Sequence, residues 1–173
     1  MYYDKLTDEE KVAYEKAIGS EGNSMGREPE AIRKSVNLWW ALLERDKRIS
    51  IEFAPRELRE NKEFVIKALR DEADNIRYAS PELKKDRDVC RAVLYENHNV
   101  LTGYEDPSIL NDYDFMMDCI RNYSWENVKL ASENLRNKKD FMRSAIIVNS
   151  KAKEYIGSTL AKDEAFLEDI KNL

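Results

Sequence analysis

The chain is expected to be all-α, a helical-hairpin repeat array of about five copies of 25–26 residues behind an N-terminal helical cap. Two observations predict it. Apolar columns stay in phase from Ile51 to the C-terminus, and helix-start residues recur at the same place in successive copies. A self-similar period of this size marks stacked repeat architectures, because one short unit cannot bury its apolar stripe alone. Composition agrees: five glycines and four prolines among 173 residues, with 36% charged, leave long runs of helix formers.

At the N-terminus, Thr7 and Glu10 form a capping-box pattern that predicts a helix from about Asp8 to Ile18, ending at Gly19. Its apolar face is thin: Val12, Ala13, Tyr14 and Ala17. Residues 20–28 hold Gly22, Asn23, Gly26 and two serines and read as a loop. Pro29 opens a second helix, expected to run unbroken to about Arg45 with Ile32, Val36, Trp39, Trp40 and Leu43 apolar. Trp39 lies 25 residues before Phe64, which makes this helix a degenerate copy zero. Neighbouring residues point about 100° apart on a helix, so Trp39 and Trp40 form a second candidate interaction surface. Residues 1–48 are thus the cap (two helices, loop 19–28), and 49–173 the array, in one structural domain.

The array is measured on Leu83, with counterparts Leu58, Ile109, Leu135 and Leu160. Six residues on stand Phe64, Val89, Phe115, Phe141 and Phe166, followed by Val65, Cys90, Met116, Met142 and Leu167. One turn later come Ala68, Val93, Cys119, Ala145 and Ile170, then Leu69, Leu94, Ile120, Ile146 and the exception Lys171. Apolar pairs at i, i+1, i+4 and i+5 lie on one helical stripe. Phe53, Tyr78, Tyr104, Leu130 and Tyr155 make a further column, five residues before the ruler. Asn61, Asp86, Asp112 and Asp163 stand where an N-cap accepts otherwise unpartnered amides. Copy four holds Lys138 there, so Asn137 is expected to cap one residue early. Ser80-Pro81, Asp106-Pro107 and Ser132, with Ala54-Pro55 as a weaker form, open a short helix before each long one.

The pattern running from Tyr78-Ala79-Ser80 through Leu83 and Asp86 to Val89 resembles the tandem repeats of domain of unknown function 4116. The resemblance covers about residues 51–173, with copies one, two and four matching best. It implies a helical array that binds other macromolecules. That family, found in bacterial, phage and secreted-effector proteins, supplies no catalytic residues to carry over.

Copy three departs from the others. Glu105 stands in the column of Ala54, Ala79, Ala131 and Ile156, and a buried carboxylate needs partners. Glu105, Asp106, Asp112, Asp114, Asp118 and Glu126 face Arg121 alone within residues 101–127, among Tyr104, Tyr113, Tyr123 and Trp125. Copy four is basic. Tyr104, Glu105, Asp106, Asp112, Tyr113, Asp114, Asp118 and Trp125 are therefore the candidate partner-binding residues, on the rule that local inconsistency marks function.

No catalytic, cofactor or metal motif is present: the one histidine, His98, sits in a polar turn, and no phosphate loop, zinc pattern or calcium loop occurs. Cys90 and Cys119 fall in core columns and are expected as free buried thiols in a cytoplasmic protein, or one delivered into a host cytoplasm. No secretory or membrane-spanning run is legible. The expected function is non-enzymatic binding of another protein or nucleoprotein through an exposed face. One alternative is a phage or mobile-element inhibitor of a bacterial immune nuclease (anti-CRISPR-like), its acids occluding a nucleic-acid groove. Another is weak nucleic-acid binding through Lys138, Lys139, Arg143, Lys151 and Lys153, against which the net charge of −5 stands.

Overall fold

The computed structural model describes residues 1–20, 23–45, 48–70, 72–96 and 101–173; His98 lies outside them. The described residues form helices and turns, with no strand. Helix α1, Asp8–Gly19, opens on a complete capping box: Thr7 Oγ1 accepts from the Glu10 amide, and Glu10 Oε2 takes the Thr7 amide at 2.7 Å. Ala13, Tyr14 and Ala17 are buried, but Val12 is exposed, so the apolar face is narrower than the sequence suggests.

The second cap helix is not continuous. It divides into α2, Glu30–Arg33, and α3, Val36–Glu44, because Ser35 turns extended and its side chain accepts from the Leu38 amide. A serine can offer a helix start as readily as it can continue one. Ser35 therefore stands where Asn61 stands in copy one, and Leu38 and Trp39 answer to Phe64 and Val65. The offset is one residue longer than the sequence alignment of Trp39 with Phe64.

The same two-part element follows five times. The long helices are α5 (Lys62–Leu69), α6 (Arg87–Glu96), α8 (Tyr113–Asn122), α10 (Lys139–Val148) and α11 (Glu164–Asp169). Single-turn helices precede three of them: α4 (Arg56–Arg59), α7 (Pro107–Leu110) and α9 (Glu133–Arg136). Tighter 3₁₀ turns at Leu83–Lys85 and Leu160–Lys162 do so for the other two. Asn61, Asp86, Asp112 and Asp163 each accept from the amide three residues on. Lys138 provides no cap, and Asn137 does not cap α10 early. Its Oδ1 accepts instead from Thr159 and Leu160, both at 2.9 Å, in the following copy.

The connectors also carry structure. Ala73–Tyr78, Trp125–Leu130 and Ser150–Tyr155 are 3₁₀ helices. Two buried asparagines fix the first two of these. Asn75 donates to the carbonyls of Ile49 (2.9 Å) and Ala68 (3.1 Å) and accepts from the Ile51 amide (3.0 Å). Asn127 donates to Cys119 and Ser124 and accepts from Leu101. A backbone bond also links successive copies: the amides of Ser80, Asp106, Ser132 and Gly157 donate to the carbonyls of Arg59, Lys84, Leu110 and Arg136.

Phe64, Val89, Phe115 and Phe141 are fully or almost fully buried, and each such side chain contributes about 2–3 kcal/mol by leaving water. Two columns depart from expectation. Leu167 is 39% exposed on α11, against complete burial of Val65, Cys90, Met116 and Met142. Phe53, Tyr78, Leu130 and Tyr155 are only half-buried and Tyr104 is exposed, so this column runs along a surface.

Candidate interaction surface

Most of the acidic residues singled out in copy three are committed within the chain. Glu105 is buried, 3% exposed. Its carboxylate accepts from the Thr102 amide and hydroxyl and from the Gly103 amide at 2.8 Å. Gly103 has φ +86°, which an ordinary side chain would strain, so the loop is shaped to wrap the carboxylate. The misfit at this position is resolved inward, and Glu105 is corrected from partner contact to loop anchor.

Asp106 caps α7 through the Ser108 amide (2.8 Å) and hydroxyl (2.6 Å), which hold its carboxyl below the ordinary range. Asp112 caps α8 and pairs with Arg87. Burial pushes its carboxyl up, and the Phe115 amide and the Arg87 guanidinium outweigh that and leave it lowered. Asp118 meets Arg91 at 3.6 Å and accepts from Asn122 at 2.7 Å. Of the acids expected as partner contacts, only Asp114 is exposed; Glu126, also exposed, pairs with Lys129 at 3.7 Å. Counting charge by sequence segment missed that copy two supplies the counter-ions: Arg87 and Arg91 sit opposite acids about one repeat away.

The basic residues of copy four are partly committed in the same way, Lys139 with Asp163 and Arg143 with Asp169. Earlier in the chain, Lys62 bridges Asp86 and Asp88, each at 2.8 Å. These exposed pairs contribute little stability each, about 0–1 kcal/mol, but they set the registry of neighbouring helices.

The candidate aromatics separate. Trp39 is fully buried, its Nε1 donating to the Arg33 carbonyl at 2.8 Å, which removes it from any surface. Trp40 is half-buried; Tyr2 stacks on it at 5.5 Å and Phe64 meets it edge-on at 5.3 Å. Tyr113 packs edge-on against Phe141. Tyr104 is 41% exposed, and Arg77 lies over its ring at 4.9 Å and over Tyr78 at 5.4 Å. Half-buried Trp125 meets Tyr155 at 6.5 Å.

Tyr78, Tyr104 and Tyr155 thus stand in one column of the repeat, an aromatic ridge in which Arg77 lies over the first two rings and Trp125 meets the third. A cleft of about 340 Å³ adjoins it, lined by Arg56, Glu60, Tyr78, Pro81 and Glu82 among others. The sequence reading found the tyrosines but missed Arg77, whose only signal is its place beside Tyr78 and one repeat before Tyr104. Among the described residues no group of three or more His, Cys, Asp or Glu could hold a metal. No helix there is long and apolar enough to cross a membrane. Burial raises the Cys90 thiol far above its ordinary value and the Cys119 thiol to about 12, so neither is a poised nucleophile.

Residues 30–83 match the family of a domain of unknown function, DUF4116. The match takes in α2 and α3 and ends at Leu83, so it begins before the segment in which the resemblance was read. No curated protein and no solved structure matches the chain.

Proposed function

We propose that the chain is a non-enzymatic interaction module, a stacked helical array that binds another protein along its aromatic ridge. The observation that carries this reading is Tyr104, a large aromatic left 41% exposed and pre-ordered by Arg77. Tyrosine, tryptophan and arginine are the side chains that concentrate binding energy at protein interfaces, and a ring already held in place loses little entropy on docking. The bonds from Ser80, Asp106, Ser132 and Gly157 to the preceding copy support the array, since each fixes one unit on the last. Asp114 at the start of α8 adds an exposed charge to the same copy.

The nuclease-inhibitor reading has less behind it, because Asp112 and Asp118 are neutralised by Arg87 and Arg91. Nucleic-acid binding through copy four is weakened likewise by Asp163 and Asp169.

The test is affinity capture from bacterial lysate with the unaltered chain, Tyr104→Ala/Trp125→Ala, and Asp114→Lys, with bound proteins identified by mass spectrometry. The ridge reading expects one partner held by the unaltered chain and by Asp114→Lys but lost with the aromatic pair. A partner retained by the aromatic variant would move the interface elsewhere. A nucleoprotein released by Asp114→Lys alone would favour the inhibitor.

A further inference from the structure

One residue past the ruler column, on the register that Ser35 sets, an arginine stands in copies zero, one and four: Arg33, Arg59 and Arg136. Two of the three are satisfied alike. Arg33 Nε donates to the Glu28 carbonyl at 3.2 Å and Arg136 Nε to the Ala131 carbonyl at 3.0 Å, each five residues back. A glutamate precedes each by three residues, Glu30 and Glu133. In copy four that glutamate joins two copies. Its Oε2 pairs with Arg136 at 2.9 Å, and its Oε1 accepts from the Ser158 amide at 2.7 Å and from Asn137 at 3.3 Å. The Ser158 amide holds this carboxyl below its ordinary range.

Arg59 has neither partner. Arg56 stands in the place of Glu133, Glu60 in that of Asn137, and Pro81, which has no amide proton, in that of Ser158. Arg56 is committed to Glu60 at 2.5 Å. Arg59 Nε is buried without an acceptor, and the guanidinium makes no hydrogen bond or ion pair among the described residues. A guanidinium carries five donors, and leaving a buried one unpartnered is costly. Arg59 lines the cleft of about 340 Å³ between copies one and two, together with Tyr78 and Ser80. The Ser80 oxygen accepts from the Leu83 amide and retains a proton to donate.

We propose that this cleft binds a glutamate side chain of a partner protein, whose carboxylate takes beside Arg59 the place that Glu133 fills beside Arg136. A carboxylate matches the planar fork of a guanidinium with two parallel bonds, which a neutral amide cannot do. Tyr78 offers the methylene stem an apolar wall. It also belongs to the aromatic ridge, so the source of the glutamate rests on the ridge being a protein-binding face. Glu82, exposed at the rim, makes no ion pair among the described residues and opposes a second carboxylate there.

The cleft can be tested through the Arg59 Nε–H signal in ¹⁵N-resolved NMR spectra of the full chain, identified by its absence from Arg59→Lys. The probes are a capped Ala-Glu-Ala peptide, its Ala-Gln-Ala counterpart and inorganic phosphate. The glutamate peptide should shift the signal and saturate at about 1–10 mM, and the glutamine peptide should need at least about tenfold more, the worth of one charge-assisted pair. Arg56→Glu/Glu60→Asn rebuilds the arrangement of copy four. It should move the Arg59 signal without ligand and abolish the response to peptide. Glu82→Gln should strengthen that response. Silence at Arg59 up to about 50 mM peptide, or an equal response to the glutamine peptide or to phosphate, would overturn the proposal in the unaltered chain, whatever the double variant does. Undiminished peptide binding by a folded double variant would overturn it too. The titration leaves Tyr104 and Trp125 untouched. A silent cleft beside a captured partner would remove the site and keep the ridge, and a responding cleft beside a failed capture would keep the site and remove the ridge.

Discussion

Asn75 holds Ile49 from across the connector, its Nδ2 donating to the Ile49 carbonyl at 2.9 Å inside the core. The same side chain takes the Ile51 amide and reaches the end of α5 at Ala68. Truncation to alanine would leave several buried backbone groups unpartnered, each costing about 1–3 kcal/mol. Asn75→Ala and Asn127→Ala are each expected to lower stability by about 2–4 kcal/mol in urea denaturation. A loss below 1 kcal/mol on this scale would mean that water replaces the amide.

Gly157 and Gly19 should respond oppositely to alanine. A Cβ at Gly157 would stand 2.4 Å from Asn137 Oδ1 and 2.8 Å from the Arg136 backbone carbon, at the bond between copies four and five. Gly157→Ala is expected to destabilise by about 2 kcal/mol or more, since backbone must move. Nothing lies within 4 Å of such an atom at Gly19, the last residue of α1, so Gly19→Ala should add about 0.5 kcal/mol. Thermal denaturation of the two variants side by side checks the pair.

Lys138→Asp should stabilise the chain. Lys138 is extended at the start of α10 and supplies no cap, whereas aspartate in the other copies accepts from the amide three residues on. The expected gain is about 1 kcal/mol, the ordinary value of an N-cap. Unchanged stability would show that the Phe141 amide is already satisfied by water.

Acid should unfold the chain through its cap aspartates. Asp163 is lowered by Lys139 and the Phe166 amide; Asp86 and Asp112 are pushed up by burial but lowered more by Lys62, Arg87 and helix amides. A lowered folded value means the contribution is complete above the unfolded value of about 4 and is lost as pH falls through the folded one. The urea midpoint should therefore be level near about pH 6 and drop below about pH 4. Asp163→Asn keeps an acceptor for Phe166 but loses Lys139, so its drop should be shallower. A midpoint that rises on acidification would refute the assignment.

The periodic apolar residues made the helices legible, because Phe64 or Phe141 can be buried only on one stripe of a 3.6-residue turn. What failed to show was whatever depends on the neighbouring copy. Glu105 reads as a defect because its partners, two amides and the Thr102 hydroxyl, belong to a loop that must first fold around it. The acids of copy three looked free because their cations lie about one repeat upstream. Ser35 gives no clear signal of a break, since a serine before Val36 fits either a continuing helix or a new start. Asn75 and Asn127 show in the sequence only when Asn-Ile-Arg-Tyr-Ala-Ser is set against Asn-Val-Lys-Leu-Ala-Ser two copies on.

The ion pairs between copies also constrain how such a chain can shorten. Excising copy three alone would set Arg87 against Lys138 and Arg91 against Ser144, one clash of like charges and one lost partner where two matches had been. Excising copies three and four together would set Arg87 and Arg91 against Asp163 and Asp169, sign for sign. Excising copy two alone would set Lys62, which now holds Asp86, against Asp112, again a match, so the copies that can be removed are those whose loss leaves opposite charges facing at the new junction.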